Sequence, residues 1–406
     1  MTKIILIIAD GLGDRPIQEF GYKTPLESAN KPILNQMAKE GITGLMHTIE
    51  RGMRPGSDTA HLLIFGYPYK EYYSGRGVFE VLGIGMDLRP GDVAFRGNLA
   101  TVENGIITDR RAGSMESYEV IPETMTVQIG DVTFILKPSV LHRVGVIMRG
   151  KGITSNILDL DPHKVGVAPR KKIAIESDID SKRTEDILNK FSDYMADYLS
   201  KHPANLKRKS EGKPNSNYLL LRGAGQHMYV QPIHEKYNLR TCCIAGGGLY
   251  KGLAKYVGMD IIDVPGANAR INTDLNAKIK AAIEQSKKYD LVFVHIKFAD
   301  SLAEVGDFQD KKDFLEKIDS SLAPLLETKD TIVFFSGDHS TPCKMQAHSG
   351  DPVPSLIWGP PEMICTDKVK EFGERPCQGG GLGHFNGLDI IQNLLNLSGK
   401  QKLIGA

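Results

Sequence analysis

Three apolar runs in this chain each lead to a carboxylate. Lys3–Ala9 ends at Asp10. Leu291–Lys297 stops just before Asp300. Thr331–Phe335 breaks at Ser336-Gly337 and delivers Asp338 and His339 side by side. Continuous apolar runs rich in β-branched residues predict strands buried on both faces of a parallel sheet. In open α/β sheets, ligands bind outside the carboxyl ends of the strands. Three acids and a histidine at one such edge predict a divalent-metal site. A single Asp after a strand is ordinarily a turn residue or a helix cap, so the reading rests on the set. His348 adds a second imidazole, in a loop whose Gly and Pro predict a fixed conformation.

The remaining pattern alternates strand and helix at both ends of the chain. Thr24-Pro-Leu-Glu27 predicts a helix running to Glu40 and stopping at Gly41, followed by a strand over Ile42–Ile49 and a short helix from about Ser57 to Phe65. Further strands are predicted at Thr241–Ile244 and Val353–Trp358. Further helices are predicted at Leu249–Val257, Asn272–Ser286, Lys311–Leu326 and Leu388–Leu397. Between these ends the texture changes. Tyr72–Gly85 is rich in Gly and aromatics, Asp87–Val102 reads as β structure, and Asn104-Gly105 signals a hairpin. Short strands over Thr126–Leu136 and Arg143–Met148, a helix over Thr184–Ser200, a polar loop over Lys207–Asn217 and a strand over Tyr218–Leu221 ending at an Arg222-Gly-Ala-Gly turn complete this block. The predicted fold class is α/β, a doubly wound, mostly parallel sheet with an inserted α+β domain. Residues 1–66 and 232–406 would build the sheet domain, and residues 67–231 the insertion.

Length and composition fit this reading. The chain has 406 residues, 41% hydrophobic and 24% charged, as in an ordinary globular protein of two domains. A net charge of +1 supplies no long-range field for nucleic acid or a membrane surface. Five scattered cysteines, with no Cys-x-x-Cys pair, predict a reducing cytoplasm rather than a disulfide framework or zinc ribbon. No signal peptide and no apolar run of bilayer-spanning length is visible. A homo-oligomer is compatible with the sequence.

The candidate ligands are Asp10, Ser57, Asp300, Asp338, His339 and His348. Carboxylates with imidazoles suit Mn²⁺ or Zn²⁺. The number exceeds what one catalytic ion with open positions needs and suits two ions roughly 3.5–4 Å apart. Ser57 follows Pro55-Gly56 at a predicted helix start, where the partial positive charge stabilises an alkoxide or a phosphate. Its commonest use there is simply as an N-cap. Arg110, Arg111, Arg149 and Arg222 lie beside Gly or turn residues in the insertion and are candidates for binding phosphate or carboxylate. A fissure between two domains is a common ligand site.

The motifs carry a resemblance over nearly the full length. They are Ile7-Ile-Ala-Asp10-Gly, Pro55-Gly-Ser57-Asp-Thr-Ala-His61, Tyr72-Tyr-Ser-Gly-Arg-Gly, Asp109-Arg-Arg-Ala-Gly113, Tyr218-Leu-Leu-Leu-Arg-Gly-Ala-Gly225, Gly337-Asp-His-Ser-Thr-Pro-Cys343 and Ala347-His-Ser-Gly-Asp-Pro-Val-Pro354. In this order they resemble the archaeal type of cofactor-independent phosphoglycerate mutase, in the alkaline phosphatase superfamily. The resemblance implies interconversion of 3- and 2-phosphoglycerate in glycolysis and gluconeogenesis. It implies a phosphoserine intermediate, two divalent ions (Mn²⁺ first, with Mg²⁺, Co²⁺ or Zn²⁺ as alternatives) and no 2,3-bisphosphoglycerate. It places one ion on Asp10, Ser57, Asp338 and His339, and a second on Asp300 and His348. Glu304 stands where the family has a third second-site ligand, a histidine, and is carried as a candidate ligand favouring harder ions. The resemblance also makes Ser57 the nucleophile, Arg222 a substrate residue, Lys251 a candidate for phosphate stabilisation and His163 a candidate proton shuttle.

Two alternatives stay open on the sequence. One is a metal-dependent phosphomonoesterase or another phosphomutase of the same superfamily. The other is a catalytically weak paralogue that binds a phosphorylated metabolite. No Arg-His-Gly phosphohistidine motif occurs, and Gly246-Gly-Gly-Leu-Tyr-Lys251 lacks the Gly before Lys that a P-loop needs.

Overall fold

The computed structural model describes residues 2–403 and Gly405. The chain divides into two compact units, Met1–Tyr73 with Val230–Ala406, and Ser74–Tyr229.

In the first unit, among the described residues, eight strands form one sheet. Their order is Asp260–Ile261, Thr241–Ile244, Leu291–Ile296, Lys3–Ala9, Thr331–Ser336, Val353–Trp358, Ile42–His47 and Gly383–Asn386. The three acid-bearing strands are immediate neighbours. Lys3–Ala9 lies between the other two, with Ala9 opposite Ile296 and Ile8 opposite Ser336. Every residue of Leu291–Ile296 and Thr331–Ser336 is buried, as sheet covered on both faces requires. Because the three strands run parallel, their carboxyl ends, and the acids beyond them, share one edge.

One strand breaks the parallel pattern. Val353–Trp358 pairs antiparallel with both neighbours. Parallel neighbours need a crossover, usually helical. The connection 337–352 contains no helix; it folds over the strand ends, carries Asp338, His339 and His348, and returns directly.

The helix predicted over Thr24–Glu40 is two helices, Pro25–Ser28 and Pro32–Glu40. The Thr24/Glu27 capping box starts the first as expected. The first ends where Ala29 turns extended, and Pro32 then opens the second at its first position, with Lys31 before it held out of the α region. The helix predicted to begin at Asn272 instead begins at Leu275, with the Asp274 side chain capping it.

In the second unit, among the described residues, six strands form an antiparallel sheet with the long helix Ile179–Lys201 beside it. Asn104 and Gly105 both adopt positive φ in the predicted hairpin turn. Three expectations change. The Gly-rich stretch after Tyr72 contains the helix Arg76–Gly83, packed so closely on Val93–Glu103 that a Cβ on Gly77 would sit 2.3 Å from the Ala94 carbonyl oxygen. The loop predicted at Lys207–Asn217 begins inside the helix Pro203–Ser210, whose last turn carries Lys207, Arg208 and Lys209, where cations complement the helix dipole. The strand from Tyr218 runs on through Arg222-Gly-Ala-Gly to Gln226, with a bulge opposite Ala94–Arg96, so Arg222 projects from a strand rather than a turn.

A buried ion pair ties the first unit's strand-end loops together. Lys311 Nζ donates to Asp14 Oδ2 (2.9 Å), the Thr341 carbonyl (3.1 Å) and the Gly13 carbonyl (3.2 Å), and both side chains are fully buried. Asp14 also accepts from the Cys343 and Arg15 amides. Lys311→Met removes one partner and leaves a buried carboxylate uncompensated, a change that costs about 3–5 kcal/mol. Urea unfolding will show that loss. Lys201→Met, which breaks an exposed pair with Asp197, will stay within error of wild type.

Candidate functional site

Asp10, the residue after the central strand, is fully buried and its two oxygens are treated differently. Oδ2 accepts from Tyr250 Oη and from His295 Nε2 (3.2 Å), and forms an ion pair with Lys297 Nζ at 3.3 Å. Oδ1 is buried with no hydrogen-bond partner among the described residues. Asp338 repeats this asymmetry. Its Oδ1 accepts from the Gly11 amide (3.2 Å) and the His339 amide (3.1 Å), while buried Oδ2 has no hydrogen-bond partner. Burial and the nearby Asp10 carboxylate push the Asp338 pKa well above the ordinary value. Burial also opposes the charge on Asp10, but Lys297 and His295 outweigh it and hold that carboxyl well below the usual range.

Hydrogen bonding fixes the tautomer of His339. Thr341 Oγ1 lies 2.7 Å from Asp300 Oδ1 and donates to it, so it must accept from His339 Nδ1–H at 3.0 Å. The lone pair is therefore on Nε2, and burial pushes the ring's pKa down to about 3, so the imidazole is neutral at pH 7. Nε2 faces Ser57 Oγ at 3.2 Å, Asp338 Oδ2 at 3.3 Å and Asp10 Oδ1 at 3.5 Å. Lone pairs on two carboxylates, an imidazole and a hydroxyl thus converge on one point in a buried place. That is the donor set of a divalent cation, and the two unpartnered carboxylate oxygens fit one.

Ser57 is the first residue of the helix Ser57–Ile64, and Gly56 is its N-cap with no side chain capping it. The hydroxyl is not spent on the cap, so the bland reading of this serine does not hold. His61, one turn on, donates Nδ1–H to the Ser57 carbonyl at 2.7 Å. Burial lowers its pKa to about 4.

Asp300 and His348 stand beside this group. Asp300 Oδ2 accepts from Lys297 Nζ at 2.5 Å, and His348 Nε2 lies 3.6 Å from Asp300 Oδ1. His348 donates Nδ1–H to the Pro55 carbonyl (2.8 Å), turning Nε2 toward Asp300, and its ring stacks on His339 with centroids 3.6 Å apart. Among the described residues, two donor groups are close enough to hold an ion: Asp10, Asp338 and His339; and Asp300, His339 and His348. Neither includes Glu304, the exposed last residue of the helix Phe298–Glu304. Partial sheltering of its carboxyl and the charge of Asp300 raise its pKa.

Sequence reasoning missed the residues that orient Asp10. His295 lies inside a buried strand and stacks on Tyr250 with centroids 3.4 Å apart. Burial lowers its pKa to about 3. Lys297 is held protonated: burial opposes its charge, but Asp10 and Asp300 outweigh it and keep its pKa above that of a free lysine. A lysine at the end of an otherwise buried apolar run was the available signal. Lys251, one residue beyond Tyr250, pairs instead with Asp263 at 2.6 Å.

The second unit gathers part of its predicted set. His163, at φ 61°, donates Nε2–H to Asp159 Oδ2 at 2.7 Å. Its Nδ1 lies 3.4 Å from both Arg110 Nη2 and Arg222 Nη1. Arg110 is held bidentately by Asp161, at 3.1 and 2.6 Å. Arg149 is not in this cluster; it is bidentate on Asp92 and donates to the Asp87 carbonyl. Arg111 lies exposed on the turn before Ala112–Ser114. Arg76 and Arg96, which share Glu80, were not singled out from the sequence.

Known proteins match this chain from end to end. A family profile described as "2,3-bisphosphoglycerate-independent phosphoglycerate mutase" matches residues 38–205. A protein of that name from Methanosphaera stadtmanae is 44% identical, covering 98% of this chain and 99% of its own length. One from Methanocaldococcus jannaschii is 43% identical, covering 100% and 99%. Among solved structures, a protein from Pyrococcus horikoshii superposes with a TM-score of 0.84 at 37% identity, covering 100% of this chain and 99% of its own. The cofactor-independent phosphoglycerate mutase of Thermoplasma acidophilum superposes at 0.72 with 35% identity, covering 98% and 100%. The conserved length, the fold and the motifs agree: the chain belongs to the 2,3-bisphosphoglycerate-independent phosphoglycerate mutase family.

Proposed function

We propose that this chain interconverts 3-phosphoglycerate and 2-phosphoglycerate through a phosphoserine at Ser57, with no bisphosphoglycerate. The observation that carries this reading is the uncapped, buried Ser57 hydroxyl at a helix N-terminus, 3.2 Å from a neutral His339 and beside two unpartnered carboxylate oxygens.

Asp10, Ser57, Asp338 and His339 would hold one divalent ion, and Asp300 and His348 a second; carboxylate-imidazole donors favour Mn²⁺. Such ions supply Lewis acidity, lowering the pKa of the serine hydroxyl and neutralising charge on the phosphoryl oxygens. Ser57 Oγ forms the new bond to phosphorus as the bond to the glycerate oxygen breaks, and the departing oxygen takes up a proton. The start of the Ser57–Ile64 helix stabilises the resulting phosphoserine. Return of the phosphoryl group to the other hydroxyl of the same glycerate completes the isomerisation. His163, backed by Asp159 and with its Nδ1 lone pair free of a proton, is the proton carrier for those hydroxyls. Arg222, which reaches the same His163 nitrogen and has no bidentate carboxylate among the described residues, binds the substrate's anionic groups.

The deciding assay is conversion of 3- to 2-phosphoglycerate with Mn²⁺ and no added bisphosphoglycerate. A phosphomonoesterase would instead release inorganic phosphate, which the same reaction followed by ³¹P NMR resolves. Ser57→Ala will reduce turnover by at least a thousandfold with an unchanged circular dichroism spectrum; near-normal turnover would exclude covalent transfer through this residue. Arg222→Ala will raise KM at least tenfold. Arg149→Ala, at a guanidinium already saturated by Asp92, will leave KM within about twofold and act on thermal stability.

A further inference from the structure

The two donor groups are not equivalent, and Lys297 makes the difference. In the group of Asp10, Asp338 and His339, Asp10 Oδ1 and Asp338 Oδ2 have no hydrogen-bond donor, and the His339 lone pair points at them. In the group of Asp300, His339 and His348, both Asp300 oxygens are engaged. Thr341 Oγ1 donates to Oδ1 at 2.7 Å and Lys297 Nζ to Oδ2 at 2.5 Å. The same ammonium reaches Asp10 Oδ2 at 3.3 Å, an oxygen that does not face the first group.

We propose that Lys297 is a built-in cation that ranks the two ion positions. The first ion binds between Asp10 and Asp338 without displacing a donor from either of the two carboxylate oxygens that face it. The second binds at Asp300 and His348 only as the Lys297 ammonium yields the Asp300 carboxylate, whose Oδ1 faces His348 Nε2 at 3.6 Å and whose Oδ2 the ammonium holds. A monovalent ammonium and a divalent ion cannot share one carboxylate at such distances without strong repulsion. The chain allows the exchange: Lys297 has 23% of its side chain accessible and a flexible stem, so its head can move toward solvent while the carboxylates stay in place. Glu304 lies outside both groups, so no second carboxylate joins Asp300 in its group to offset the competition. The inference rests on the two-ion reading above and adds that the ions bind in a fixed order, tight then weak.

The test is Mn²⁺ titration of the chelator-treated full chain by isothermal calorimetry, with free Mn²⁺ followed by electron paramagnetic resonance. Wild type will bind two ions with dissociation constants at least a hundredfold apart. Lys297→Met will tighten the weaker step at least tenfold more than the stronger one, and Lys297→Gln provides the same test if the Met variant does not fold. Lys297→Arg, which keeps charge and donor, will preserve the gap. Asp300→Asn will remove the weak step and Asp338→Asn the tight one. Two equally tight ions in wild type, or an unchanged gap in both Lys297→Met and Lys297→Gln, would overturn the ranking while leaving the two-ion reading intact. A single ion in wild type and in both neutral variants at millimolar Mn²⁺ overturns the two-ion reading itself.

Discussion

Three carboxylates are buried at one edge of a sheet, and the surrounding structure answers that constraint. Asp10, Asp300 and Asp338 are all fully buried. Burying an ionised carboxylate without compensation is prohibitive. One partial solution is visible in the divergent protonation of the pair, with Asp10 held ionised and Asp338 pushed toward its neutral form. Lys297 is another, a single cation between two of the acids. Lys297 supplies no donor to Asp10 Oδ1 or Asp338 Oδ2, which have no hydrogen-bond partner among the described residues. Bound divalent charge would complete the compensation, so ion binding and the integrity of this edge are thermodynamically linked.

Precision at the edge comes from residues that never meet a substrate. Lys311 and Asp14 clamp the loop after Asp10 to the loop after His339. Thr341 then passes one proton arrangement along a chain, donating to Asp300 and accepting from His339. The result is a histidine whose lone pair can only point at Ser57 and the two acids. A hydrogen-bond relay thus sets a ligand's tautomer, which is how outer partners tune a metal site.

The parts of this arrangement legible in the sequence are those that local pattern controls. Asp10, Asp300 and Asp338 could be read because each follows a continuous apolar run, and adjacency of the three parallel strands does the rest. The fold class followed from the same alternation, and family membership from the motifs. His295 and Tyr250 could not be read this way: their role depends on which strand lies next to Lys3–Ala9, a non-local fact. Arg149 and Arg222 look alike in sequence, each beside a glycine. Only the pairing of Arg149 with Asp92 separates them. The helix Arg76–Gly83 was hidden in a Gly-rich stretch that normally argues against a helix, where Gly77 is there to admit the Ala94 backbone.

The arginine-rich second unit obeys the same electrostatic logic with the sign reversed. Arg110 and Arg149 each have a carboxylate held bidentately, so their charge is largely spent within the unit. Arg222 has no such pair; burial and the neighbouring Arg76 lower its pKa. A guanidinium in that position gains more from an incoming anion than one already neutralised, because binding relieves repulsion as well as forming hydrogen bonds. His163 links the two arginines, with its acceptor nitrogen 3.4 Å from both Arg110 and Arg222 and its N–H committed to Asp159.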